Sequence, residues 1–241
     1  MIEHGSGPPL VLIPGLPGPW HYVAPAMHAL SAHFRVLTLS LGRECTVEAD
    51  VARILDALND RQIDRAVVCG ISLGGLVALR FAALYPQRTS ALVLASAPGP
   101  GATLRPHHRL YTRWPWLFGP LFMLETPFRL RRELHWSQIK ALLVAPVSFA
   151  RIARRAQLIE STDIAADCRR IVSRTLVITG EQALDNIVPV ESTMEYLRTI
   201  PRAAHAVLKN TGHLGSITHP MRFAESIVRF AGRPTPRTGA A

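Results

Sequence analysis

The chain has 241 residues and 48% hydrophobic content, enough for one large domain with a sizeable core. Its formal net charge of +10 is carried by 27 basic residues against 17 acids, and only Lys140 and Lys209 among the basic residues are lysine. An arginine bias of that kind, with no basic stripe interleaved with aromatics, argues against a nucleic-acid module, and no charge-free apolar stretch of about 18 residues argues for a transmembrane span.

Short apolar runs alternate with helical patterns along the first hundred residues. Leu10-Val11-Leu12-Ile13 reads as a buried strand ending at Pro14-Gly15, and Trp20 to Ala32 as a helix. Phe34 to Leu41 is a second strand, and Thr46 to Leu58 a helix that Thr46 can cap. Ala66 to Gly70 is a third strand, Leu73 to Tyr85 a helix stopped by Pro86, and Ala91 to Ala95 a fourth strand. The rhythm resumes late: Thr175 to Thr179 and Ala204 to Leu208 are strands, Val190 to Arg198 and His219 to Phe230 helices. Repeated strand–helix units predict a parallel sheet covered on both faces. Between them, residues 99–170 lose the strand rhythm. Helical segments such as Ser137 to Ala145 and Val147 to Ile159 dominate there, and Trp114, Trp116, Phe118, Phe122 and Trp136 concentrate there. The predicted organisation is a core of residues 1–98 and 171–241 with a helical cap of residues 99–170 over the sheet's carboxyl edge. The tail from Gly232 onward is expected to fray.

The three cysteines, Cys45, Cys69 and Cys168, are odd in number and lack CxxC spacing, so they read as buried apolar residues in a reducing, cytoplasmic setting. No basic start followed by a long apolar region marks a secretory signal.

The stretch Cys69-Gly70-Ile71-Ser72-Leu73-Gly74-Gly75 places one serine on a predicted strand-to-helix turn. A sharp turn there projects the hydroxyl above the sheet edge, and its crowding requires small residues at Gly70 and Gly74. The blander reading is a serine at a helix start with glycines for packing. His213, in Thr211-Gly212-His213-Leu214-Gly215 past the last strand, is the candidate base; His205 and His219 are its rivals. Asp185, in the loop Gly180–Pro189, is preferred over Glu181 as the carboxylate on the chain order Ser…Asp…His, Glu181 serving alternatively to brace the loop. Oxyanion donors are expected from the Leu73 N–H and, in the turn Pro14-Gly15-Leu16-Pro17-Gly18, from the Leu16 N–H, because Pro17 has none. Trp20, beside that turn, is a candidate for the site's border.

Taken together, LVLIPGLPG, CGISLGG, TLVITGEQALDNIVPV and NTGHLG resemble the α/β-hydrolase superfamily, in its order and over nearly the whole chain. The resemblance implies a mostly parallel sheet, a Ser72–His213–Asp185 triad, and no metal or organic cofactor. The family often has His-Gly where Pro14-Gly15 stands here, two extra residues separate Gly180 from Asp185, and the short N-terminus leaves little chain for two antiparallel edge strands. About six strands are therefore expected. The implied activity is hydrolysis of a small ester or related acyl compound through an acyl-enzyme. Alternatives are carbon–carbon bond hydrolysis of an aromatic-pathway diketone, peroxide-dependent chemistry, or a non-catalytic ligand-binding relative. The expected partner is a small-molecule substrate. Residues 99–170 hold 12 Lys and Arg against five acids, which fits either a carboxylate-bearing substrate or a solvated face. Arg151, Arg154 and Arg155 with Phe149, Ile152 and Leu158 read either as a basic membrane-surface stretch or as a cap helix packed on the domain.

Overall fold

A computed structural model describes residues 1–103, 113–114 and 138–232. Trp116, Phe118, Phe122, Trp136 and the tail beyond Gly232 lie outside the described residues.

Seven strands form one sheet: β1 (Ile2–His4), β2 (Pro9–Ile13), β3 (Arg35–Thr38), β4 (Ala66–Ile71), β5 (Thr89–Ala95), β6 (Thr175–Thr179) and β7 (Ala204–Val207). Their spatial order is β1-β3-β2-β4-β5-β6-β7, and every pair is parallel except β1 with β3. The expectation of about six strands is corrected to seven. The short N-terminus does form one antiparallel edge strand, pairing Ile2 with Thr38 and His4 with Val36. The Glu3 carboxylate reinforces it by accepting from Arg35 and Arg61.

The strands of the sheet's middle are apolar on both faces because helices cover both. On one face α1 (Ala24–Ser31) and α8 (Pro220–Ala231) bury Met27, Leu30, Phe223 and Ile227 against Leu10, Leu12 and Val93. On the other, α2 (Val47–Asp60), α3 (Gly74–Leu84), α5 (Ala165–Arg170) and α6 (Val190–Thr199) pack Ile54, Leu58, Phe81 and Tyr196 against Val11, Val68 and Leu92. α2 starts as predicted: Thr46 Oγ1 accepts the Ala49 N–H at 3.2 Å. The predicted helix from Trp20 to Ala32 is instead a 3-10 turn, Trp20–Val23, followed by α1 with a proline in its first turn. Pro25 lacks the N–H that would have continued one helix through that point. The predicted final helix, His219 to Phe230, matches α8, and a short additional helix, α7 (Gly215–Thr218), precedes it.

The next described strand after β5 is β6. Between the two, residues 138–144 are helical and α4 spans Phe149–Ser161. α4 packs on the domain: Ile152 and Ala156 are buried, and Arg155, on the same side, is only 3% exposed. That favours the packed-helix reading of its arginines over the membrane-surface one. No described helix is long and apolar enough to cross a membrane.

Candidate active site

Parallel strands deliver the loops after β2, β4, β6 and β7 to the same edge of the sheet. Register sets how closely: Ile13 pairs with Gly70, so the turn after β2 starts beside the turn after β4. Ser72 occupies that second turn with φ of 54°, in the left-handed region that a side chain rarely adopts. Its own N–H donates to the Ala95 carbonyl at 2.8 Å and its carbonyl accepts from Gly75 N–H at 2.8 Å, so both neighbours fix the bend. The glycines around it are required by close approach. A Cβ on Gly70 would overlap the Gly74 carbonyl, and one on Gly74 would stand 2.5 Å from the Ile13 carbonyl oxygen.

Three of the predicted side chains come together from separate loops, up to 141 residues apart in the chain. His213 Nε2 lies 3.0 Å from Ser72 Oγ. On the far side of the ring, Nδ1 lies 3.4 Å from Asp185 Oδ2, at the outer edge of a contact, and has no other partner among the described residues. His213 and Asp185 are 6% and 5% exposed, so the pair sits in a low-dielectric setting where its charges act strongly. The carboxylate is itself oriented, because Oδ1 accepts the N–H groups of Ile187 and Val188 at 3.1 Å each.

The rivals are elsewhere. Glu181 accepts the Asn210 N–H at 2.9 Å and its own N–H donates to the Thr211 carbonyl at 2.8 Å, so it ties the β6 loop to the loop that carries His213. His205 lies on β7 against Thr179 Oγ1 at 2.9 Å, and burial holds its imidazole below the ordinary histidine range. His219 Nδ1 contacts the adjacent Thr218 hydroxyl at 3.1 Å at the start of α8.

Gly15 lies directly against the serine: a Cβ there would be 3.1 Å from Ser72 Cβ and 3.7 Å from its Oγ. Gly15 thus stands beside the hydroxyl, and Leu73, the residue after Ser72, opens α3. Among the described residues no group accepts a hydrogen bond from the Leu16 or Leu73 N–H.

Ser72, His213 and Leu16 line a cavity of about 820 Å³. Its walls are mostly apolar, with Ile139, Leu142, Phe149 and Ile152 from the stretch between β5 and β6 and Leu214 from the histidine loop. The charged residues on its described lining are Glu191 and Glu195, and no described lysine or arginine lines it. The basic composition of residues 99–170 is therefore not translated into a described basic pocket. Trp20 does not line the cavity; it stacks on His21 with ring centroids 3.9 Å apart. Tyr22 does, with its hydroxyl donating to the Ala145 carbonyl at 3.3 Å. Sequence reasoning missed Tyr22, whose place within the 3-10 turn Trp20–Val23 gave it no distinguishing pattern. Among the described residues no cluster of His, Cys, Asp and Glu has the makings of a metal site.

The alpha/beta hydrolase family profile matches residues 10–226, which takes in the serine turn and both loops that carry Asp185 and His213. The chain belongs to the alpha/beta hydrolase family. It is similar to the pimeloyl-[acyl-carrier protein] methyl ester esterase of Nitrosomonas europaea, 26% identical over 249 residues that cover 91% of this chain and 94% of the relative. It is also similar to the 2-hydroxymuconate semialdehyde hydrolase of Pseudomonas sp. (strain CF600), 28% identical over 249 residues covering 95% and 85%. Among solved structures the bromoperoxidase from Bacillus anthracis superposes with a TM-score of 0.82 at 22% identity over 96% of this chain and 94% of that one, a likeness of fold. The alpha/beta hydrolase described here is accordingly an enzyme, a hydrolase by family.

Proposed function

We propose that this hydrolase cleaves a small ester with an apolar acyl group through a covalent acyl-enzyme, with residues 99–170 as a cap over the site. The observation that carries the reading is the 3.0 Å contact between Ser72 Oγ and His213 Nε2 on the wall of an apolar cavity. Ser72 Oγ attacks the carbonyl carbon as His213 Nε2 takes its proton. The carbonyl π electrons move to oxygen, and the N–H groups of Leu16 and Leu73 hold that oxyanion. Collapse expels the alcohol, protonated by His213, and leaves the acyl group on Ser72. Water, deprotonated by His213, attacks the ester so formed and releases the acid with the serine restored. Asp185 keeps the imidazole in the tautomer with a proton on Nδ1 and stabilises its charged form.

The apolar lining supports a hydrocarbon acyl chain. The two glutamates on the lining disfavour an anionic one. A panel of p-nitrophenyl esters from acetate to octanoate tests this with wild type and Ser72→Ala. Each buried methylene is worth about 0.8 kcal/mol, so kcat/KM is expected to rise by up to roughly fourfold per methylene until the cavity is filled. Turnover that persists in folded Ser72→Ala contradicts the mechanism, and a steady fall from acetate onward contradicts the acyl-chain assignment. Carbon–carbon bond hydrolysis is the second reading, supported by similarity to the muconate semialdehyde hydrolase. Serine-dependent cleavage of a dienol diketone without ester turnover favours it.

A further inference from the structure

We propose that Arg155, in α4, is a positioning residue that holds the oxyanion turn in its working shape. Nη1 donates to the carbonyls of Leu16 at 3.4 Å and Pro17 at 2.8 Å, and Nη2 donates to those of Leu41 at 3.1 Å and Gly42 at 3.0 Å. One guanidinium, 3% exposed, thus ties the turn after β2 to the loop after β3, from a helix that enters the chain more than a hundred residues later. A planar fork with fixed donor directions is suited to that task in a way that an ammonium is not.

The rest of the neighbourhood fits the same purpose. Gly18, with φ of 96°, lies against the guanidinium, and a Cβ there would overlap Arg155 Nη1. Asp50, itself only 3% exposed, accepts the Gly42 N–H at 2.6 Å, and its charge favours the charged form of the fork. Gly42 therefore receives Arg155 at its carbonyl and reaches Asp50 through its amide. A buried arginine is expensive unless its donors are satisfied; here four carbonyls take the donors of Nη1 and Nη2, Nε has no hydrogen-bond partner among the described residues, and two of the four carbonyls belong to residues that flank or carry the proposed oxyanion donor. Leu16, held at its carbonyl by Arg155, carries the proposed oxyanion N–H. The same contact makes the oxyanion site depend on α4 being docked, so cap position and catalytic competence are linked.

The inference rests on the acyl-transfer reading only for its kinetic consequence; the structural consequence stands alone and is measured separately. The variants are Arg155→Met, which keeps the stem, and Arg155→Lys, which keeps charge and loses the fork. Arg154→Ala is the control on an exposed neighbour. Hydrogen exchange of the amides from Gly15 to Gly18 and from Leu41 to Gly42 reads the positioning. Ester kinetics and inactivation by a fluorophosphonate read the catalysis. In both Arg155 variants, exchange in the two loops is expected to quicken by tenfold or more while β4 and β6 stay protected. A misplaced donor costs on the order of 10²-fold in rate, so kcat is expected to fall about a hundredfold with KM within threefold, and fluorophosphonate inactivation to slow in proportion. Arg155→Lys is expected to recover part of kcat. Folded variants with wild-type loop exchange overturn the proposal, as does a rise in KM with kcat unchanged. Altered exchange together with turnover that survives in Ser72→Ala would keep Arg155 as the loop's clamp and remove the acyl-transfer reading. Should Arg155→Met not fold, Arg155→Lys carries the same two readouts.

Discussion

Replacing Asp185 by asparagine changes only one atom, and the surroundings of Asp185 decide what that change does. Oδ1 accepts two backbone N–H groups, from Ile187 and Val188, both at 3.1 Å. The asparagine must keep its oxygen there, because turning the amide would face two donors with a third. Its NH2 group then points where Oδ2 now stands, 3.4 Å from His213 Nδ1. A donor at that place stabilises the imidazole with its proton on Nε2. Nε2–H then faces Ser72 Oγ and has no lone pair to accept the hydroxyl proton. The loop and the cavity survive while the base is disabled. Loss of the correct tautomer in such a constellation costs about 10³–10⁴-fold in kcat, equivalent to about 4–5.5 kcal/mol of barrier. Steady-state ester kinetics give kcat and KM, and a melting curve checks the fold. We expect kcat to fall by that factor with KM and melting temperature nearly unchanged. Glu181→Gln, which disturbs only the tie to Asn210, is expected to stay within a few-fold of wild type. A kcat for Asp185→Asn within tenfold of wild type refutes the reasoning. A larger loss in Glu181→Gln moves the carboxylate's role to Glu181.

Ser72 holds a left-handed backbone that costs a side chain about 1 kcal/mol. Ser72→Gly is therefore expected to be more stable than Ser72→Ala by about that amount, a difference of roughly 2–4 °C in thermal unfolding; equal or reversed melting temperatures contradict the strain. Gly70→Ala drives a methyl onto the Gly74 carbonyl, backbone that cannot rotate away, and is expected to cost about 1–3 kcal/mol in urea denaturation and to displace the serine turn; an unchanged midpoint with full activity would oppose this. Burial holds His205 below its unfolded range, so the unfolded chain binds more protons as pH falls and stability drops with it. That contribution is intact above the unfolded histidine value and is lost as the pH falls through it toward the folded value. His205→Gln is expected to flatten the stability profile between about pH 7.5 and 5.5, and identical profiles for the two proteins contradict it.

What the sequence displayed and what it concealed divide along a physical line. Ser72 was legible because a strained strand-to-helix turn needs glycines in fixed places, and those glycines are local. His213 and Asp185 were legible from the chain order and from loops that follow the last two strands, which a parallel sheet delivers to one edge. Glu181, the open competitor, braces the Asn210 loop, a role settled only by contacts between residues some thirty positions apart. Arg155 was hidden. Beside Arg151 and Arg154 it reads as one more solvated arginine, and nothing in the local pattern of α4 announces four carbonyls brought from two distant turns. The N-terminal edge strand was missed for a related reason. Ile-Glu-His is short and mostly polar, and its stability comes from pairing with β3 and from the Glu3 ion pairs.

The central claim, that Ser72 is a nucleophile activated by His213, is tested most directly by intact-mass measurement after fluorophosphonate treatment, followed by trypsin digestion. The peptide of residues 66–80, AVVCGISLGGLVALR, carries Ser72 as its sole hydroxyl side chain, so the label's place is unambiguous. The account predicts one adduct per chain, on that peptide at Ser72, absent in Ser72→Ala and slowed at least a hundredfold in His213→Gln. A folded wild-type protein that takes no label, or takes it on another peptide, would contradict it.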